Sequence, residues 1–177
     1  MKLLKYILLF AVIVIGTPAC AGKTAGQSVD DSAIQAEVKT KIMSEDVKAG
    51  SWDINLETRK GVVQLGGFVD DAEAARKAAA EAATVKGVVK VDNQLHQKPG
   101  ERSAGQVIDD GVTTTRIKSD MAGADLGESV KVNVDTYNGT VLLTGFVDKA
   151  ADKQEAEAIA AKDKNTKRVI NGIYVLD

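Results

Sequence analysis

Few residues in this chain have chemistry beyond packing, and they do not converge. Cys20 is the single cysteine and His96 the single histidine. A thiol beside an imidazole would make an activated nucleophile. Here the two stand in unrelated contexts, one behind an apolar leader and one where a repeat runs into "HQKPGERSAGQ". A lone surface histidine is most simply solvated. No His, Cys and carboxylate recur at metal-ligand spacing, so neither metal nor cofactor is expected. Two aspartate pairs, Asp30-Asp31 and Asp109-Asp110, each sit ahead of a helical pattern. There, carboxylates favour the helix dipole, and capping rather than cation binding is the expected role. "LGGFVD" (65–70) and "LTGFVD" (143–148) invite comparison with a phosphate loop, but lack its glycine spacing and Lys-Ser/Thr ending. No catalytic residue is expected.

Cys20 carries a different chemistry. Lys2 and Lys5 precede the apolar run "YILLFAVIVI", which is too short for a stable membrane span. "GTPACAG" follows and allows two outcomes. Ala19-Cys20-Ala21 has the small-x-small spacing of ordinary signal cleavage. Thr17-Pro18-Ala19-Cys20 resembles a bacterial lipobox, with Cys20 as the lipidated first residue, although Thr17 stands where an aliphatic residue is usual. The expected organisation is a signal peptide at 1–20, a tether at 21–28, a domain at 29–97, a linker at 98–106 and a second domain at 107–177.

Composition bounds the rest. The chain has 177 residues, with 44% hydrophobic, 27% charged and only 4% aromatic, so its cores must be aliphatic. The net charge of −2 argues against a nucleic-acid partner held by bulk electrostatics.

The two hexapeptides are the most visible part of a longer duplication. Gly67 and Gly145 stand 78 residues apart, and from Ile54 onward the halves align without a gap at that offset. Val63, Leu65, Phe68 and Asp70 fall on Val141, Leu143, Phe146 and Asp148. Each copy reads as α-β-β-α-β. Ile34, Val38 and Ile42, and likewise Thr113, Ile117 and Met121, share one helical face. "WDINLET" and "VKVNVDT" alternate as strands. Lys60-Gly61 and Asn138-Gly139 read as hairpin turns. "VVQLGGF" and "TVLLTGF" return, and an Ala-rich helix follows with Asp70 and Asp148 as its expected N-caps. A last strand spans 88–95 and 166–175. Gly67 and Gly145 are expected to let that helix cross close to the sheet, with Phe68 and Phe146 filling the strand-to-helix corner. Asn93 and Asn171 are expected to bond neighbouring backbone.

The pattern I-x-L…G-x-V-x-L-x-G-x-V-D, an Ala-rich helix and G-V-x-x-V-x-N-x-L resembles the BON domain, named for bacterial osmotically induced periplasmic and nodulation proteins. Gly61, Val63, Leu65, Gly67, Val69, Gly87, Val88, Val91, Asn93 and Leu95 carry it in the first copy. Gly139, Val141, Leu143, Gly145, Val147, Val169 and Asn171 carry it in the second, which departs from it at Asn165-Thr166. The resemblance implies an α+β fold of two tandem sandwiches, each with two helices on one face of a three-stranded sheet. It also implies a non-catalytic envelope protein that associates with phospholipid membranes under osmotic or envelope stress, with other envelope proteins as further partners. The location implied is the periplasm, anchored to the outer membrane if Cys20 is lipidated. A soluble periplasmic interaction or chaperone-like module is the alternative.

A sheet with helices on one face leaves the other open. In the first copy that face carries Val62, Gln64, Lys90, Asp92 and Gln94; in the second it carries Thr140, Leu142, Arg168, Ile170 and Tyr174. The second is more apolar. Leu142, Ile170 and Tyr174 are therefore candidates for lipid or partner contact, or for docking on the first copy. Arg116, Ile117 and Lys118 form a further candidate lipid contact, where basic and apolar residues adjoin on a helix.

Overall fold

The computed structural model describes residues 25–43, 54–124, 126 and 131–176. The expected leader with Cys20, and residues 21–24 of the expected tether, lie outside the described residues. The first repeat runs α1 (Ala25–Ile42), β1 (Asn55–Arg59), β2 (Val62–Val69), α2 (Ala72–Ala83) and β3 (Lys90–Gln97). The second runs α3 (Ala104–Gly123), β4 (Lys131–Tyr137), β5 (Thr140–Val147), α4 (Ala150–Lys162), β6 (Arg168–Asn171) and β7 (Tyr174–Val175). Residues 25–28, expected as tether, are helical. The expected linker is shorter by its last three residues, because Ser103 and Gln106 form a reciprocal capping box that starts α3 at Ala104.

In each repeat the second strand is central. β2 pairs antiparallel with β1 and parallel with β3. β5 pairs antiparallel with β4 and parallel with β6 and β7, which together form one interrupted edge. The parallel pairing needs a crossover, and α2 and α4 supply it. The inward row of each central strand meets both helices. Val63 and Leu65 pack with Ile34, Val38, Ile42, Ala78 and Ala82. Val141 and Leu143 pack with Ile117, Met121, Ala156 and Ala160. Small alanines bring the crossover helices close, and Asn93 and Asn171 fasten them to the third strand. Asn93 Nδ2 donates to the Ala75 carbonyl at 3.2 Å, and Asn171 Nδ2 to that of Lys153 at 2.9 Å.

The aspartate pairs do not cap helices. Asp31 and Asp110 lie inside α1 and α3, each about 5% exposed, and reach across to the hairpin. Asp31 accepts from the backbone N–H groups of Lys60 (3.0 Å) and Gly61 (2.9 Å). Asp110 accepts from those of Asn138 (2.8 Å) and Gly139 (2.9 Å). Both turns hold positive φ at both central residues, 52° and 74° in one and 54° and 77° in the other, the geometry of a type I′ hairpin. The carboxylate satisfies two N–H groups that face inward from the bend, which helps Lys60 sit where a lysine is uncommon.

Other expectations at the strand-to-helix corner are corrected. The N-cap of α2 is Asp71, whose side chain accepts from the N–H of Glu73, and Lys149 precedes α4 without a side-chain cap bond. The strand runs one residue further than expected, which frees Asp70 to pair with Lys98 at 2.7 Å and Asp148 with Arg59 at 3.1 Å. Gly67 and Gly145 have φ of 141° and 125°. A Cβ on Gly145 would lie 2.0 Å from the Lys131 carbonyl oxygen on β4, so the neighbouring strand, rather than a helix, demands this glycine. Phe68 and Phe146 point away from the corner. Phe68 meets Tyr137 with ring centres 5.6 Å apart, and Phe146 meets Tyr174 at 5.7 Å.

These rings lie along a seam where the two sheets face each other. Leu142 is fully buried there, clustered with Phe68, Tyr137 and Ile170. Gln64, only 2% exposed, donates to the Gly172 carbonyl (2.8 Å) and to Asp92 (2.6 Å), and accepts from the Gly145 N–H. Asn55 bonds Asp135 (2.5 Å), and Asn133 bonds Glu57 (2.9 Å). The order of layers is thus helices, sheet, sheet, helices. His96 is half-buried in this seam rather than solvated. Its Nε2 is buried with no hydrogen-bond partner among the described residues. Burial, then the charge of Arg168, pushes its pKa below the ordinary value of 6.5.

Two tests follow from these contacts. Asp110→Ala leaves two turn N–H groups without an acceptor and Arg102 (3.0 Å away) without its ion-pair partner. The expected loss is about 1–3 kcal/mol, read as a lower urea midpoint, and an unchanged midpoint would sink the clamp role. For His96 the folded pKa is depressed, so its contribution is present above pH 6.5 and drains as pH falls below it. Thermal unfolding between pH 7.5 and 5.5 should show a smaller fall for His96→Gln than for the unaltered chain. Equal falls would count against it.

Candidate membrane-contact surface

The seam removes most of the contact residues expected from sequence. Leu142 is buried against Phe68 of the first repeat, and Ile170 packs partly buried beside it. Tyr174 meets Phe146 at a ring tilt of 59° and carries the Lys90 ammonium 4.8 Å from its ring centre, with its hydroxyl accepting from Lys90 Nζ at 3.3 Å. The structure therefore takes the domain-docking alternative for this face. Along α3, Ile117 is fully buried in the core of the second repeat. Arg116 is committed to Asp163 through two bonds of 2.7 and 3.2 Å. That fork holds the Asp163 carboxyl below the usual carboxylate range. Lys118 alone of that trio remains exposed. The helix is the expected one, but another of its faces is open.

That face is set by the helical period. Asp110, Thr113, Ile117 and Met121 point inward at spacings of three and four. Opposite them lie Ile108, Gly111, Val112, Thr115, Ser119 and Ala122, all exposed and none charged. Ile108 is 66% exposed, and Val107 and Val112 are each nearly half exposed. An apolar group in water on a helix whose other side already packs a core has no role in that core. The signal was present in the sequence: once Thr113, Ile117 and Met121 define the buried row, Ile108 and Val112 fall off it.

The start of α3 borders a cleft of about 330 Å³ lined by Phe68, Val107 and Tyr137 with Lys98 and Arg102. Arg102 lies over the Tyr137 ring at 4.2 Å. Both cations are paired, Lys98 with Asp70 and Arg102 with Asp110, so the cleft is close to neutral. Among the described residues, no group of three or more His, Cys, Asp or Glu side chains could hold a metal ion. No described helix is long and apolar enough to cross a membrane. What the surface offers is a shallow apolar ridge on one helix, suited to contact with an apolar or interfacial partner.

Comparison with known proteins gives this geometry a family. The model of the BON domain matches twice, at residues 30–99 and 109–177. Osmotically-inducible protein Y of Escherichia coli is 37% identical over 149 residues, covering 84% of this chain and 74% of its own. Outer membrane lipoprotein DolP of Haemophilus influenzae is 31% identical over 170 residues, covering 93% and 87% respectively. A 21 kDa hemolysin of Actinobacillus pleuropneumoniae is 29% identical over 156 residues, covering 88% and 77%. With two matched domains spanning nearly all of the described residues, the chain belongs to the BON domain family, as a tandem pair.

Proposed function

We propose that this protein is a non-catalytic component of the bacterial envelope that associates with phospholipid surfaces and supports envelope integrity under osmotic or envelope stress. The observation that carries the reading is the outward face of α3. Its apolar residues Ile108 and Val112 are exposed although the core beneath is complete. Such a ridge gains free energy by entering the headgroup boundary, at about 25 cal/mol per Å² of apolar area removed from water. A single ridge of this size gives weak, reversible attachment, so a second signal is needed for stable anchoring.

Cys20 supplies that signal in this reading. Lipidation there would place the two domains in the periplasm, tethered to the outer membrane. Two relatives bear names of the same setting, one an outer membrane lipoprotein and one osmotically inducible. No catalytic role is part of this reading.

The test separates the ridge from the anchor. In a chain carrying Cys20→Ala, Ile108→Glu with Val112→Glu should reduce co-sedimentation with phospholipid vesicles by roughly tenfold or more, because charge replaces apolar insertion. Both positions are exposed, so the thermal midpoint should hold. Undiminished vesicle binding at full stability would remove the ridge from the proposal. The intact mass of the mature native protein checks the anchor. Diacyl mass on Cys20 supports it, and an unmodified start at Gly22 refutes it.

A further inference from the structure

The seam has a symmetry that the repeat alone does not require. At the 78-residue offset, Asn55 corresponds to Asn133 and Glu57 to Asp135, and the two bonds Asn55–Asp135 and Asn133–Glu57 exchange under that correspondence. Lys90 against Tyr174 exchanges with Arg168 against His96. At two places a residue meets its own counterpart. Gly66 meets Thr144, and Gly172 meets Gln94. A residue facing its own equivalent lies on a two-fold axis, so the two repeats dock as a pseudo-symmetric dimer within one chain.

On that axis the copies are opposite in size. A Cβ on Gly66 would lie 2.6 Å from Thr144 Cγ2, and one on Gly172 would lie 2.7 Å from Gln94 Oε1. Each repeat therefore carries one projection and one notch. The first has the notch at Gly66 and the projection at Gln94; the second has the projection at Thr144 and the notch at Gly172. We propose that this arrangement is a pairing rule, so that each sheet face accepts only the unlike repeat. Two first repeats would set Gln94 against Gln94 and leave a void between glycines. Two second repeats would set Thr144 against Thr144. The one partner this surface can take from another molecule is the unlike repeat of a second copy, in reciprocal exchange about the connector at 98–103. Like repeats, which would otherwise chain molecules together, are rejected by overlap.

The rule is tested by moving the projection across the axis in the full chain carrying Cys20→Ala. Gly66 has no positive φ, so its backbone tolerates a side chain and any loss in Gly66→Thr comes from the seam. Gly66→Thr should lower the thermal midpoint by several degrees or prevent folding. Thr144→Gly should lower it through the void and its weaker strand preference. The double variant restores one projection and one notch, so its fall should be smaller than the sum of the two single falls, and it should melt above Gly66→Thr. Refolding an equimolar mixture of the two single variants offers both complementary pairings only between chains. Light scattering should then show a dimer in the mixture and monomers in each variant alone. Additive falls in the double variant, a dimer of either variant alone, or a refolded mixture that stays monomeric would each overturn the proposal.

Discussion

Two sheets share one buried surface, and the remaining architecture is arranged around that contact. Each repeat has helices against one face of its sheet, and the other face would be wet on its own. Stacking the two removes both faces from water at once. Leu142 shows the driving force, since full burial of a leucine is worth roughly 1.5–3 kcal/mol relative to exposure and it is fully buried between the sheets. Gln64 shows the constraint. A buried amide costs free energy unless bonded, and its partners include Gly172 and Gly145, both in the other repeat. The seam thus combines apolar burial at Leu142 with buried hydrogen bonds at Gln64, and the bonds fix how the two sheets are set against each other.

Within each repeat a second polar device holds the halves of the unit together. Asp31 and Asp110 tie the first helix to the hairpin turn, at matched positions and with nearly the same distances. The helix and the turn lie about 29 residues apart in sequence. The clamp converts a local hairpin into part of a closed core. It also explains why a lysine can occupy a positive-φ position at Lys60. In the second repeat Arg102 adds its charge to the same carboxylate, which couples the connector between repeats to the clamp.

Once the helices have buried their inner rows and the sheets have buried each other, the large apolar side chains left exposed among the described residues are Met43, Val89, Val107, Ile108 and Val112, three of them on α3. That sharpens the meaning of the α3 ridge. Ile108 and Val112 are neither core nor seam. On α1 the exposed side chains include Asp30, Ser32, Ala33, Ala36 and Glu37.

Much of this was legible from residues alone. The duplication, the α-β-β-α-β order and the inward rows follow from spacing, because periods of two and of 3.6 are properties of the backbone itself. Asn-Gly in a tight hairpin is likewise local chemistry. The side chains whose roles the spacing misassigns are mostly ones whose partner is distant in sequence. Asp31 and Asp110 read as helix caps because the turns they bind lie outside any local window. Asp70 and Asp148 read as caps because a one-residue shift of a boundary is invisible to pattern. Gly145 read as a helix notch, but its neighbour is the Lys131 carbonyl on the adjacent strand. Leu142 was recognisably an open-face residue, yet only the meeting of the two sheets decides whether an open face meets water, lipid or another sheet. Sequence specified each unit through short-range periodicity. Tertiary structure alone decided how the units meet, because that depends on shape and hydrogen-bond complementarity between positions some 80 residues apart.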